Sequence, residues 1–264
     1  MKHGLPHRQR LVATTLVVLL AVGSTPALTR AAEPNTLADA ERRDGWTLLF
    51  DGKSLAGWHV FKRTGEAKSG WHAAGDGTLV CPKSNGRPNG SGGDLVTDAK
   101  FADFEFTFEW RIAAGGNSGV QYFFDEGRRP TGKPLYKGDT GDSPIGFEYQ
   151  VLDDATYPDA NHGSLRRTGA IYDLFATGKA RPEPVGQWNQ SRIVVRGDHV
   201  EHWLNGVKSA QCDKGSPAYK RALAASKYHV IKDFAANGPT ALALQDHGEE
   251  VAYRNLKVRE IHGK

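Results

Sequence analysis

The sequence predicts an all-β domain over residues 44–262, a sandwich or jelly roll of antiparallel strands with one short helix. Three observations predict it. Phe104, Phe106, Phe108 and Trp110 alternate with Glu105, Thr107, Glu109 and Arg111, the period of a strand with one buried face. Asn205-Gly206 joins two apolar-alternating segments, and this dipeptide accepts the positive φ angles of a tight hairpin. The 31 glycines and 13 prolines divide the rest into short strands and turns, the pattern of a sandwich or jelly roll.

The elements follow in order. Lys2, Arg8 and Arg10 precede an uncharged run from Leu11 to Val22, and small residues then lead to Ala31. Residues 1–31 therefore read as a secretory signal peptide, with Ala27 and Ala31 as candidate cleavage positions. The apolar run, about 12 residues, is too short for the roughly 20 that span a bilayer. This predicts a periplasmic or secreted protein with no stable membrane insertion after cleavage. Residues 32–43 are polar and read as a linker with room for one helical turn.

Strands are expected at residues 46–50, 57–61 and 79–81, with an irregular Gly/Asn/Pro/Ser loop over 84–94. The aromatic strand spans 101–112. Gly115-Gly116-Asn117-Ser118-Gly119 reads as a turn into a strand at 120–124. Residues 125–144 and 153–168 are long loops, the kind that carry function, and they flank a strand at 146–152. Further strands are expected at 170–175, 187–196, 200–204 and 207–210. Ser216-Pro217 fits the N-cap and first position of a helix to about Lys227, and strands at 240–245 and 251–261 close the domain.

Charge excludes one class of function. The formal net charge of +4 rests on 34 basic and 30 acidic residues. The signal segment holds Lys2, Arg8, Arg10 and Arg30 and no acid, so removing these four bases leaves 30 of each sign. A neutral mature chain makes no electrostatic case for nucleic acid. Cys81 and Cys212 are the two cysteines; export permits a disulfide, but spacing leaves the pairing open.

Several stretches, taken in order, resemble one family. They are Gly45 to Leu55 with Gly57-Trp58, Phe101 to Glu105 with Glu109 to Ile112, Gly116-Asn117-Ser118-Gly119-Val120, Glu148 to Asp153, Trp188-Asn189, Trp203 to Gly206, and Leu244 to Gly248 with Arg254-Asn255-Leu256. Together they resemble the 3-keto-disaccharide hydrolase domain family, across nearly the whole mature chain. The resemblance implies a concanavalin A-like jelly roll, a sugar groove on its concave sheet, and substrates oxidised at C3 of a hexose. One departure is visible. Many family members carry an arginine shortly after the Asn-Ser-Gly segment, whereas this chain has Gln121-Tyr122-Phe123-Phe124 and no arginine before Arg128. Substrate preference is therefore not carried over from arginine-bearing members.

A ketone at C3 acidifies the proton on C2. A base can remove that proton, the enolate can expel the group at C1, and water can add back. This chemistry needs a base tuned toward neutrality, donors at the enolate oxygen and an acid for the leaving oxygen. Glu148 is the candidate base, with Gln150 beside it on one strand face to bind hydroxyls. His247 is the second candidate, because imidazole titrates near neutral pH; Asp246 points to the opposite face of an extended chain. Arg111 could hold an enolate, or pair with Glu109 and its cross-strand neighbours. Asn117, Ser118, Glu109, Tyr122, Gln245, Asp153 and His162 complete the substrate-binding candidates. Asp153, Asp154, Asp159 and His162 share one loop and could hold a divalent metal, the one candidate cofactor, although their spacing fits no strict metal pattern and no metal ligand is assigned. Tyr172 and the six tryptophans are expected mainly in the core, with one or two candidates to stack on a sugar ring. The expected partner is a small-molecule or oligosaccharide substrate. Two other functions fit a groove of this kind: a non-catalytic carbohydrate-binding module, or a classical glycosidase whose two carboxylates would be Glu148 and Asp153.

Overall fold

The computed structural model describes residues 1, 33–63, 70–84, 88–127 and 143–262. The expected signal peptide, Arg128 and most of the 125–144 loop lie outside the described residues. The chain divides into two units, residues 1–31 and residues 32–264, and the second is the domain. It begins with helix α1 (Asp39–Arg43), the single turn expected in the linker. Thirteen strands follow among the described residues: β1 (Thr47–Leu48), β2 (Trp58–Val60), β3 (His72–Ala73), β4 (Leu79–Cys81), β5 (Leu95–Thr97), β6 (Phe104–Ile112), β7 (Asn117–Tyr122), β8 (Phe147–Leu152), β9 (Asn189–Arg196), β10 (His199–Leu204), β11 (Val207–Asp213), β12 (Ala243–Leu244) and β13 (Val251–Glu260).

They form two antiparallel sheets, a jelly-roll sandwich. One sheet has eight strands in the order β11-β10-β9-β6-β13-β4-β3, with β1 also paired to β13. The other has five, in the order β2-β5-β12-β7-β8. The alternation in β6 sends Phe104, Phe106, Phe108 and Trp110 between the sheets, where Phe108 meets Tyr149 of β8 edge to face at 5.3 Å and Phe104 meets Tyr122 of β7 at 6.1 Å. The opposite face of β6 is a ladder of ion pairs: Glu105 with Arg192 and Arg259, and Glu109 with Arg254. At the β10–β11 hairpin, Asn205 (φ +49°) and Gly206 (φ +78°) both take the left-handed backbone this turn demands. Helix α2 (Pro217–Ala225) starts where expected, with Ser216 Oγ accepting from the Tyr219 amide at 3.1 Å.

Two expectations are corrected. Asn117, Ser118 and Gly119 belong to β7 and not to a turn, because they complete the β8 ladder from Leu152 to Gln150. Residues 170–175 form a turn held by bridges of Ile171 to Tyr149 and Phe175, with Asp173 at φ +60°, a conformation no strand contains. Residues 88–94 carry no helix or strand, as expected, and the structure adds β5 directly after them. The cysteine question, open from spacing, is answered: both are free and buried, Cys81 on β4 and Cys212 on β11.

Candidate active site

A cleft of about 360 Å³ opens on the face of the five-stranded sheet that points away from the core. Its floor is β7 and β8. Strand period places Asn117, Gly119 and Gln121 on this face of β7, and Glu148 and Gln150 on the same face of β8; register sets Gln121 opposite Glu148 and Gly119 opposite Gln150. Gln245, just beyond β12, joins them through its amide, which donates to Gly119 O at 2.9 Å. The walls come from the long loop after β8 and the segment after α2, supplying Asp159, Arg166, Tyr172, Lys227 and Tyr228. His247 lines the remaining side.

Glu148 is buried in the centre of this floor, 7% exposed. Desolvation pushes its pKa up from 4.5 to about 7, against the pull of the Lys227 and His247 charges and a hydrogen bond from Gln121. The Gln150 amide, oriented so that its nitrogen faces acceptors, donates to Glu148 Oε1 at 3.2 Å and to Ser118 O at 3.1 Å. Gly119 leaves the space the carboxylate occupies, since a Cβ there would overlap Glu148 Oε1 and Cγ. His247 is held through Nδ1, which lies 3.1 Å from Tyr157 Oη and 3.2 Å from Glu249 Oε2. That arrangement leaves Nε2 as the ring nitrogen available to a ligand. Asp246 fixes the backbone under His247 by accepting from the amides of Ser91, Gly93 and Gly248 at 2.7, 3.0 and 3.0 Å.

Three buried amide oxygens in the cleft lining, Asn117 Oδ1, Gln121 Oε1 and Gln245 Oε1, have no hydrogen-bond partner among the described residues. Buried acceptors left unpaired cost stability. Three of them lining one cleft beside a buried carboxyl suit a ligand rich in hydroxyl donors.

Five sequence-derived candidates thus meet in the cleft: Glu148, His247, Gln150, Asn117 and Gln245. Six do not. Arg111 lies on the eight-stranded sheet, stacked 5.0 Å from the Trp188 ring, and Glu109 beside it binds Arg254 and Asn255. Their face turns away from the second sheet, so neither reaches the floor. Ser118 and Tyr122 sit on the core face of β7, where Ser118 Oγ bonds Tyr253 Oη at 2.8 Å and Tyr122 Oη bonds His202 Nε2 at 2.7 Å. Asp153 is a loop clamp. Burial opposes its charge, but donors from Thr156, Gly115 and Ala155 hold its carboxyl below the usual range. His162 is exposed and lines no part of the cleft.

Asp154 caps Thr168, and Asp159 accepts from Tyr172 Oη at 2.6 Å and from Arg166 at 3.3 Å. The acidic loop is thus engaged in its own hydrogen bonds. Among the described residues no group of three or more His, Cys, Asp or Glu side chains gathers as a metal site. Gln121, Arg166, Lys227, Tyr228 and Tyr157 were not foreseen; Tyr172 belongs to the core as expected and also lines the cleft. Gln121 was within reach of strand periodicity, four residues on from Asn117; the wall residues carried no such signal.

A family model described as the 3-keto-alpha-glucoside-1,2-lyase-like domain matches residues 45–259. The chain belongs to that family. Within it, the chain is 31% identical over 248 residues to a 3-keto-disaccharide hydrolase of Bacteroides thetaiotaomicron, covering 88% of this chain and 84% of the relative. A crystal structure from Parabacteroides distasonis, of a protein proposed to be a glycosyl hydrolase, superposes with TM-score 0.71 at 31% identity, over 87% of this chain and all of that one. A second protein of the same organism, also proposed to be a glycosyl hydrolase, shares the fold at TM-score 0.57 and 22% identity, over 82% of this chain and 99% of that one. The family match spans both sheets and both strands of the cleft floor.

Proposed function

We propose that the protein is an exported enzyme that cleaves the glycosidic bond of 3-keto-glycosides by C2 proton abstraction, β-elimination and hydration. Glu148 is the base. Its carboxylate takes the C2 proton, and the C2–H electron pair becomes the C2–C3 double bond of an enolate. The enolate then reforms the C3 ketone, makes a C1–C2 double bond and expels the C1 oxygen. His247 Nε2 hands a proton to that leaving oxygen. Water adds back at C1 with a proton to C2, so one water is consumed and no redox change occurs. Asn117, Gln121 and Gln245 accept hydrogen bonds from the sugar hydroxyls.

The observation that carries the reading is Glu148 itself: a carboxyl held near neutrality, on the floor of a cleft rimmed by unpaired acceptors. A general base works best with a pKa near the working pH, and a pure binding module needs no such group. The family membership and the hydrolase relative from Bacteroides thetaiotaomicron support cleavage of an oxidised sugar. The classical two-carboxylate alternative is not favoured, because Asp153 is tied into its loop. Export rests on the signal-like segment 1–31 and is tested by fractionating cells that express the full chain.

The deciding experiment incubates the domain with a 3-keto-glucoside and with its unoxidised parent, with and without chelator, following aglycone release and product by NMR. Release from the keto sugar alone supports the proposal, and an accumulating enone marks elimination without hydration. Binding to either sugar without release from either would instead make the protein a carbohydrate-binding module.

A further inference from the structure

Removing the C2 proton places a negative charge on the C3 oxygen, and the candidate site so far has a base and acceptors but no named group to receive that charge. Stabilising a developing oxyanion is usually the largest contribution to such a reaction, and it needs a fixed donor or cation at the oxygen. Among the described residues, two side chains of fixed positive charge line the cleft, Arg166 and Lys227. Arg166 is committed to two carboxylates, with Nε 2.9 Å from Asp173 and NH1 3.3 Å from Asp159.

Lys227 is the larger influence on Glu148, the strongest of the charges that act on its carboxyl. Its backbone amide donates to Asp173 Oδ2 at 2.9 Å. Ser226 Oγ accepts from the Tyr228 amide at 3.1 Å and starts the 3-10 turn Lys227–Val230. Asp173 is a non-glycine residue at φ +60°, a conformation that costs energy and tends to persist where function requires it. Its two carboxylate oxygens tie Arg166 and the start of the Lys227 turn together. The Lys227 Nζ lies 4.5 Å from the Tyr172 ring centroid and 5.1 Å from that of Tyr228. Both rings are buried and both line the cleft, so the ammonium beside them belongs to the cleft wall. The Glu148 charge is among those that act on Lys227.

We propose that Lys227 is a catalytic residue whose ammonium binds the C3 carbonyl oxygen and carries the enolate charge while Glu148 takes the C2 proton, with Asp173 as the positioning residue that sets it. The inference rests on the ketone-dependent reading of this site. Lys227 hydrogen-bonds to the oxygen throughout and forms no covalent bond, so the balance of the elimination is unchanged.

The test separates proton removal from aglycone release by using a 3-keto sugar with no exocyclic group on C1, 3-keto-1,5-anhydroglucitol, in D2O. Exchange of its C2 proton is followed by NMR. The wild-type domain is expected to catalyse exchange. Lys227→Met is expected to slow it by about 100-fold or more, while Lys227→Arg, which keeps the charge, retains more activity than the Met variant. Binding of the unoxidised parent, which develops no enolate, is expected to weaken by a far smaller factor than exchange slows, so a loss of binding equal to the loss of exchange overturns the enolate role. Should the Met variant fail to fold, Lys227→Gln is read in the same assay. Wild-type exchange with undiminished exchange in a folded Met or Gln variant overturns the role of Lys227. An absence of exchange in the wild type overturns the C2-abstraction reading itself.

Discussion

Replacing Glu148 with glutamine changes charge but hardly shape, and the structure sets what it does to stability as well as to rate. Glu148 ionises near pH 7 in the fold against 4.5 as a free side chain, because burial disfavours its charged form. Between those values the folded protein holds a proton that the unfolded chain has lost. Wild-type stability contributed by this group therefore falls as pH rises from 4.5 through 7. Each pKa unit is worth about 1.4 kcal/mol, so the ionised carboxylate costs the fold about 3 kcal/mol above pH 7. Glu148→Gln removes that cost. Urea unfolding is expected to show the variant gaining on wild type by about 3 kcal/mol between pH 4.5 and pH 8. Over the same range kcat/KM of the wild type on a 3-keto-glucoside is expected to rise with a midpoint near 7, as a base loses its proton. The variant's rate should fall by about 10²–10⁴-fold, the usual contribution of a general base. A stability difference that stays flat with pH would refute the burial argument, and a variant with wild-type kcat would refute the base assignment.

Other substitutions test the geometry around it. Gly119→Ala puts a methyl group where Glu148 Oε1 lies, so kcat is expected to drop by about 100-fold while the melting temperature moves little. Tyr122→Phe leaves the buried His202 Nε2 without its partner; unfolding is expected to show a loss of about 1–3 kcal/mol with KM unchanged, since Tyr122 faces the core. Arg111→Ala removes a stack on Trp188 on the far sheet, and steady-state kinetics are expected to match wild type.

Why some of the site was legible in the sequence and some was not comes down to how far a local period reaches. Strand alternation is a property of consecutive residues, so the β6 pattern gave the core face of the eight-stranded sheet, and the β8 pattern put Glu148 and Gln150 on one face without any tertiary knowledge. The same rule, applied three residues too late in β7, produced the errors. With Gly115 to Gly119 read as a turn, Asn117 and Ser118 became equivalent donors, and Tyr122 joined the site. Once β7 starts at Asn117, period two sends Asn117 and Gln121 to the cleft and Ser118 and Tyr122 to the core. Polarity misled in a second way. Arg111 and Glu109 lie on a polar strand face, but a sandwich has two outer faces, and only the sheet order decides which of them carries the cleft. Lys227 marks the limit of the method. It lies 79 positions from Glu148 in the chain, beyond the end of a helix whose own pattern predicts only a surface lysine. What brings it to the cleft is the Asp173 carboxylate on its backbone amide and two tyrosine rings beneath its side chain, contacts between segments that no local pattern connects. The residues that bind and abstract thus belong to strands, where spacing speaks, while the group assigned to the enolate sits on a loop wall that exists only once the sandwich has closed.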